Sequence, residues 1–280
     1  MSWRIGVLHR TAFTYGAPVL ESYNEARMTP ISSGGQQTLE ARLDVNPAVR
    51  PLRYVDYWGT VVHAFDVHVP HTELTVTATS IVETTAASPQ VADVGWRAMT
   101  DEPIRDRFTE YLLPSPFVLA EPELVPVAED LAARYGPAEA GRAAAAWARD
   151  QLVYTKGATG VRTTSAEARE LGRGVCQDYA HLTIALTRAM GLPSRYVSGY
   201  LSHDHQTTVE ETTSGESHAW VEYWAGAWLP VDPTSLDEVA QRHIVVARGR
   251  DYADVRPLSG VYHGPHSGPV RVTVELTRLR

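Results

Sequence analysis

Cysteine is almost absent from this chain: Cys176 is the single one among 280 residues. One thiol excludes internal disulfides and any zinc or iron–sulfur site built from several cysteines, and it fits a reducing compartment. Long apolar runs are missing too. The alanine-rich stretch 143–148 is bracketed by Arg142 and Arg149, far short of the roughly 18 residues that a membrane span requires. No basic segment followed by an apolar core stands near Met1, so we expect a cytoplasmic protein without a secretory signal.

Positively charged residues are fewer than negatively charged ones. Lys and Arg together number 25 against 33 Asp and Glu, which gives a formal net charge of −8. This excess of negative charge repels phosphate backbones and anionic lipid surfaces, so we expect neither nucleic acid nor membrane as the main partner. Apolar residues make up 44% and charged residues 21%, values near the average of globular proteins. The length is sufficient for one large core or two ordinary ones.

The first part of the chain alternates between apolar and polar residues. Period-two signals occur around Ile5, between Leu39 and Val45, and between Leu74 and Ala78. Short alternating segments separated by turn residues predict an antiparallel β-sandwich over 1–88. A proline-punctuated stretch follows, and it predicts a connector over 89–123.

The remaining residues, 124–280, mix helical and strand patterns, so the predicted fold class is α+β. The helical signals end at Gly or Pro residues, as helices usually do. The C-terminal alternation is expected to return to one of the sheets. The predicted helices are Pro126–Tyr135, Ala138–Leu152 and Gln177–Met190, and the predicted strands are Arg195–Leu201, His218–Trp224, Trp228–Asp232 and Val270–Leu276.

Cys176 stands at the start of the third predicted helix, after the segment Gly172-Arg173-Gly174-Val175. Unpaired backbone N–H groups and the helix dipole stabilise a thiolate there, and a neighbouring cationic histidine lowers such thiol pKa values further. The glycines leave room for a substrate carbonyl, and the Cys176 N–H would point at a developing oxyanion. The alternative is a small buried hydrophobic residue, which is the common environment of a lone cysteine.

A thiol nucleophile needs a base, and the chain has 11 histidines. His181 lies about 140° around the helix from Cys176. His203 and His205 lie in a polar segment, which predicts a solvated loop rather than a metal site. His63, His68 and His71 belong to the first domain, and their mixed strand parity argues against a shared cluster. His218 is therefore the best candidate.

The register of the two predicted strands that follow indicates a third catalytic group, Asp232. Pairing Trp224 with Trp228 across a three-residue loop puts the apolar residues of both strands on one face. His218 and Asp232 then become diagonal neighbours on the other face, with backbones roughly 7–8 Å apart. A carboxylate there would fix the imidazole tautomer and favour its cationic form. The alternatives are a capped strand-end histidine and an Asx turn before Pro233. Asp178 is turned about 200° from Cys176, so we expect it to bind backbone donors of the first helical turn.

The chain resembles a known family in these segments. Gly174-Val175-Cys176-Gln177-Asp178-Tyr179-Ala180, His218-Ala219-Trp220-Val221-Glu222 and Asp232-Pro233-Thr234 are similar to the three core motifs of the transglutaminase-like superfamily, whose fold is similar to papain. Upstream, three segments resemble the N-terminal region of its bacterial members: Ser22-Tyr23-Asn24-Glu25-Ala26-Arg27, Asp56-Tyr57-Trp58-Gly59 and Tyr111-Leu112-Leu113-Pro114-Ser115. Thr60 departs from the pattern, because relatives often have Asn there.

The resemblance implies roles for the three core residues. Cys176 would be the nucleophile, His218 the base and then the acid, and Asp232 the orienting acid, with an acyl-thioester intermediate. Relatives use a Gln or aromatic side chain as a second oxyanion donor, for which Trp147 and Tyr154 are the candidates here. No acidic loop has EF-hand spacing, so the calcium dependence of animal transglutaminases is not expected. We expect neither a metal nor a cofactor.

Three functions remain open. The first is a thiol-dependent hydrolase of peptide or isopeptide amides, since water is the default acceptor. The second is an acyltransferase that joins a glutamine carboxamide to an amine. The third is a binding module without catalysis, which an intact triad disfavours. An acceptor tunnel with apolar walls would favour the second function, and Trp220, Trp224 and Trp228 could either line one or cover the sheet.

Overall fold

The structure of the chain is a computed structural model that describes residues 2–86, 94–202 and 209–280. Its fold is mixed α and β and is built around a large antiparallel sheet. The strands are β1 (Ser2–Val19), β2 (Glu21–Ala26), β3 (Gln36–Asn46), β4 (Leu52–Val55), β5 (Val61–Val67), β6 (His71–Thr85), β7 (Val153–Tyr154), β8 (Arg173–Gly174), β9 (Ser194–Leu201), β10 (Thr212–Trp224), β11 (Trp228–Val231), β12 (His243–Gly249), β13 (Leu258–His263) and β14 (Arg271–Arg278).

Two sheets contain most of these strands. The larger has eight strands in the order β12-β9-β10-β14-β1-β6-β3, with β11 paired to β10, and the smaller has the order β13-β2-β5-β4. Apolar side chains of β1, β2, β3, β5 and β6 share one buried cluster, and Leu74, Val76 and Ala78 are buried in it as the alternation of β6 predicts. The strand predicted between Leu39 and Val45 corresponds to β3. It is an edge strand of the larger sheet, and its register shifts between Thr38 and Glu40.

The C-terminal strand β14 pairs with another strand on each of its two edges. β14 pairs with β1 along Ile5–Ala12, and its other edge pairs with β10 along Thr212–Gly215. The N-terminal strands and the strand that carries His218 therefore belong to one continuous sheet. β13 also returns to the N-terminal part, where it pairs with β2.

The segment predicted as a connector contains short helices. Residues 89–93 lie outside the described residues; the rest holds α1 (Trp96–Met99), α2 (Glu102–Arg107) and two 3₁₀ turns, Thr109–Tyr111 and Pro122–Leu124. α2 has no buried residue, so it lacks the apolar stripe that identifies a helix in a sequence. Phe108 and Tyr111 pack instead on the rings of Trp224 and Trp228.

The central helix of the core is buried on most of its surface. It is α6 (Cys176–Ala189), in which every residue from Gln177 to Thr187 is buried. α6 packs on the face of the sheet that includes Ala219, Val221 and Tyr196. The other helices are α3 (Val125–Arg134), α4 (Pro137–Gln151), α5 (Ser165–Leu171) and α7 (Tyr252–Val255). No helix in the three described ranges is long and apolar enough to cross a membrane.

The register of the β10–β11 hairpin is confirmed. Trp224 pairs with Trp228, and Val221 with Val231, so Ala225-Gly226-Ala227 is the predicted loop. On the opposite face from α6, the buried carboxylate of Glu222 accepts from Arg195 and Arg248. Burial raises the pKa of Glu222, but the two guanidinium groups outweigh it and hold the pKa below its usual value.

Candidate active site

The segment before α6 is held in place by Asp178. Its Oδ2 accepts the backbone N–H of Val175 at 2.7 Å and the hydroxyl of Thr159 at 2.6 Å. This contact confirms the structural position expected for Asp178. A Cβ at Gly174 would lie 2.6 Å from the Cβ of Asp178, so the close approach requires glycine at that position. Burial raises the pKa of Asp178, and these hydrogen bonds oppose that effect.

Cys176 is the first residue of α6, and its thiol is free and partly exposed. The first residues of a helix have backbone N–H groups without intrahelical partners. The Cys176 N–H is therefore one of the donors that α6 presents beside the sulfur. The arrangement combines a nucleophilic atom with a ready donor for a developing negative charge.

The structure brings the predicted histidine and aspartate together. Nε2 of His218 lies 2.7 Å from Oδ2 of Asp232, and both side chains are buried. Oδ1 of Asp232 accepts the backbone N–H of Thr234 at 2.9 Å. Burial would raise the pKa of Asp232, yet the hydrogen bonds of His218 and His243 and the charge of His218 hold it far below its usual value.

Cys176 and His218 also interact. Burial lowers the pKa of His218, but the hydrogen bonds with Asp232 and Cys176 and the charges of both partners outweigh it and raise the pKa to about 10. Since Nε2 faces Asp232, Nδ1 is the nitrogen available to the sulfur. A histidine that stays protonated through neutral pH can stabilise a thiolate beside it.

His243, which the sequence analysis did not identify, also contacts Asp232. Nε2 of His243, on β12, lies 3.4 Å from Oδ2 of Asp232. The ligating atoms of His218, Asp232 and His243 all lie within 4.8 Å of one another, so these three residues could hold a metal ion. The same Oδ2 contacts both imidazoles and also accepts the Ser235 hydroxyl at 3.4 Å.

The other histidines take different positions. His181 is fully buried, accepts the backbone N–H of Tyr252 and packs on Phe117; burial lowers its pKa to about 3. In the N-terminal part, His68 packs on Tyr23, whereas Nδ1 of His71 contacts the carbonyl of Val69. His203 and His205 lie outside the described residues.

A groove of about 380 Å³ is lined by two of the three predicted residues, His218 and Asp232. The parallel pairing of β7 with β8 puts Tyr154 opposite Gly174, and the ring of Tyr154 stacks on Tyr179. Burial and the charge of Cys176 both raise the pKa of Tyr154. Trp147 is only partly buried and packs against the core cluster. The described residues that line the groove are Tyr154, Lys156, Leu201, Glu216, His218, Asp232, Thr234, Ser235, Asp237, Arg242 and His243.

The three tryptophans of the hairpin do not line this groove. Trp220 is fully buried and borders, together with Trp228, an adjoining cavity that shares Asp237 and His243 with the groove. Trp224 and Trp228 pack against Phe108.

A thiol at a helix N-terminus, an imidazole on a neighbouring antiparallel strand and a buried carboxylate define a papain-like cysteine enzyme. The chain belongs to the transglutaminase-like superfamily: residues 127–233 match that family, and residues 5–83 match the bacterial transglutaminase-like N-terminal region.

Relatives cover nearly the whole chain. The uncharacterized protein ML0607 of Mycobacterium leprae is 45% identical over 277 residues, which is 99% of each chain. The uncharacterized protein Rv2569c of Mycobacterium tuberculosis is 33% identical and covers 98% of this chain and 92% of its own. The structure of a proposed cysteine protease from Cytophaga hutchinsonii has a TM-score of 0.79 at 21% identity and covers 100% of this chain and 92% of that one. This last likeness shows the fold.

Proposed function

We propose that the protein is a thiol-dependent amide hydrolase that acts on peptide or isopeptide amides through an acyl-thioester intermediate. The observation that carries the proposal is the arrangement of Cys176, His218 and Asp232 at the edge of an open groove. Water is the default acceptor for a thioester at Cys176, and the hairpin tryptophans Trp220, Trp224 and Trp228 do not line this groove.

In the acylation step, the thiolate of Cys176 attacks the amide carbonyl and a carbon–sulfur bond forms. The negative charge that develops on the carbonyl oxygen is stabilised by the Cys176 N–H. His218 then gives its Nδ1 proton to the leaving nitrogen, the carbon–nitrogen bond breaks, and an amine or ammonia departs. The acyl group remains as a thioester on Cys176.

In the deacylation step, neutral His218 takes a proton from water through Nδ1 while the oxygen attacks the thioester. The carbon–sulfur bond breaks, a carboxylic acid leaves, and the thiolate and imidazolium are restored. Asp232 accepts from Nε2 throughout, which keeps Nδ1 directed at the reacting atoms. The same acyl-enzyme would give transamidation if an amine replaced the water.

The reaction class can be tested with a glutamine-containing polypeptide and a labelled primary amine. We expect released ammonia or peptide fragments and no efficient incorporation of label, with no products from the Cys176→Ala control. Efficient incorporation would establish the acyltransferase function instead. Absence of every product, together with an unreactive thiol, would favour the non-catalytic binding module.

Tyr154 is the better candidate for the second oxyanion donor. The β7–β8 pairing places it opposite Gly174, two residues before Cys176, whereas Trp147 packs against the core cluster. Tyr154→Phe keeps the ring that stacks on Tyr179 and removes the hydroxyl. We expect kcat to fall by about 10²–10³-fold, the usual effect of losing one such donor. Tyr135→Phe, on the surface after α3, is the control. An unchanged kcat in Tyr154→Phe would exclude Tyr154 as the second oxyanion donor.

A further inference from the structure

Two imidazoles share one carboxylate oxygen in this site. Oδ2 of Asp232 lies 2.7 Å from Nε2 of His218 and 3.4 Å from Nε2 of His243. His243 is 5% exposed, and its ring meets Trp220 edge to face at 5.2 Å between centroids. Its position at the Asp232 carboxylate is therefore fixed by packing as well as by hydrogen bonding.

The other ring nitrogen of His243 determines which tautomer it adopts. The backbone N–H of Ala240 donates to Nδ1 of His243 at 3.4 Å. A nitrogen that accepts an N–H cannot itself carry a proton. Nε2 must then hold the proton of the neutral ring, and it donates that proton to Asp232.

We infer that His243 is a positioning residue: its neutral imidazole donates from Nε2 to Oδ2 of Asp232 and fixes the carboxylate in the orientation that holds His218 toward Cys176. The inference rests on the proposed function, because His218 needs this orientation only if it transfers protons. Thr234 fixes Oδ1 through its backbone N–H. With both oxygens held, rotation of the carboxylate about its Cβ–Cγ bond is restricted.

The two imidazoles differ in charge. The pKa of His218 is raised, whereas burial and the charges of His218 and Arg242 lower the pKa of His243. A single carboxylate stabilises one cation beside it far better than two, because like charges repel in a buried site. His218 therefore carries the proton that is transferred, and His243 remains a neutral donor.

The tautomer can be measured without any substrate. In protein labelled with ¹⁵N-histidine, long-range ¹H–¹⁵N correlation spectra distinguish the two neutral tautomers from the imidazolium. At neutral pH we expect His243 to be neutral with the proton on Nε2, and His218 to be protonated on both nitrogens. A His243 ring protonated on Nδ1, or cationic, would overturn the inference even if the enzyme turns over amides.

Two substitutions separate hydrogen bonding from packing. His243→Phe keeps a ring against Trp220 and removes the donor, whereas His243→Gln keeps an N–H near the position of Nε2 and removes the ring. We expect kcat to fall by about 10–100-fold in His243→Phe with KM nearly unchanged, as for other misplaced catalytic groups. His243→Gln should recover most of the lost kcat.

Equal losses in the two variants, or a rise in KM alone, would assign His243 a packing role and overturn the inference. The low-field proton resonance of the His218–Asp232 hydrogen bond gives a second readout, which should shift in His243→Phe and stay near its wild-type position in His243→Gln. If the wild-type protein hydrolyses no amide, the proposed function fails, while the spectra still decide whether His243 donates to Asp232.

Discussion

Replacing Asp232 by Asn should reduce the hydrolysis of the glutamine-containing polypeptide by about 10⁴-fold, the effect of the same change in a serine protease triad. The carboxylate accepts from His218, His243 and the Ser235 hydroxyl through Oδ2 and from the backbone of Thr234 through Oδ1. Asn removes the negative charge that keeps His218 protonated. If its amide nitrogen faces Nε2, it also forces the neutral ring to carry its proton on Nδ1, where it cannot accept one from the thiol.

The measurement is steady-state turnover followed by released ammonia. Asp44→Asn is the matched control, since Asp44 lies on β3 in an exposed ion pair with Arg42. Turnover of this control should equal that of the wild type. A loss of less than about tenfold in Asp232→Asn would contradict the role assigned to the carboxylate.

The second large effect concerns the thiol itself. Because Cys176 is the single cysteine, iodoacetamide labelling reports on it alone. The pKa of His218 is raised to about 10, so the imidazolium is present beside the sulfur across neutral pH. We expect iodoacetamide to label Cys176 rapidly at pH 6, because a neighbouring imidazolium favours the reactive thiolate.

His218→Ala should slow labelling at pH 6 by about tenfold or more, because it removes the cation beside the sulfur. His263→Ala replaces an exposed histidine on β13; it is the control and should leave the labelling rate unchanged. An equal labelling rate in His218→Ala and the wild type would exclude the Cys176–His218 pair.

Labelling and turnover should respond differently to high pH. A raised pKa means that His218 keeps its proton until the pH approaches about 10. Above that value the neutral ring cannot protonate the leaving nitrogen, so amide hydrolysis should decline. Alkylation needs only the thiolate and should stay at its plateau. A parallel decline of both rates would show that the alkaline loss reflects unfolding rather than His218.

The hairpin could be predicted because its two strands alternate. Ala219, Val221 and Tyr223 share a parity with Leu229 and Val231, so residues of like parity must oppose each other. A three-residue loop then selects the register that pairs Trp224 with Trp228. That register alone brings His218 next to Asp232. The start of α6 could also be predicted, since glycines precede it and apolar residues follow with helical spacing.

His243 could not be predicted in the same way. It begins β12, a strand in which Ile244, Val246 and Ala247 are buried and whose register shifts between Val245 and Ala247. A strand buried on both faces has no alternation, and a shift changes which face each later side chain occupies. The short helix α5 was missed for a different reason: its signal, a capping box between Thr164 and Glu167, covers too few residues for a periodic pattern.

The pairing of β14 has a consequence for biosynthesis. His218 lies on β10, whose first residues pair with the segment Val274–Thr277 of β14. During translation, His218 and Cys176 leave the ribosome well before that segment does. β10 therefore acquires its β14 partner only after residues 274–277 have left the ribosome. A nascent chain truncated before β14 should be inactive, although it already contains all three proposed catalytic residues.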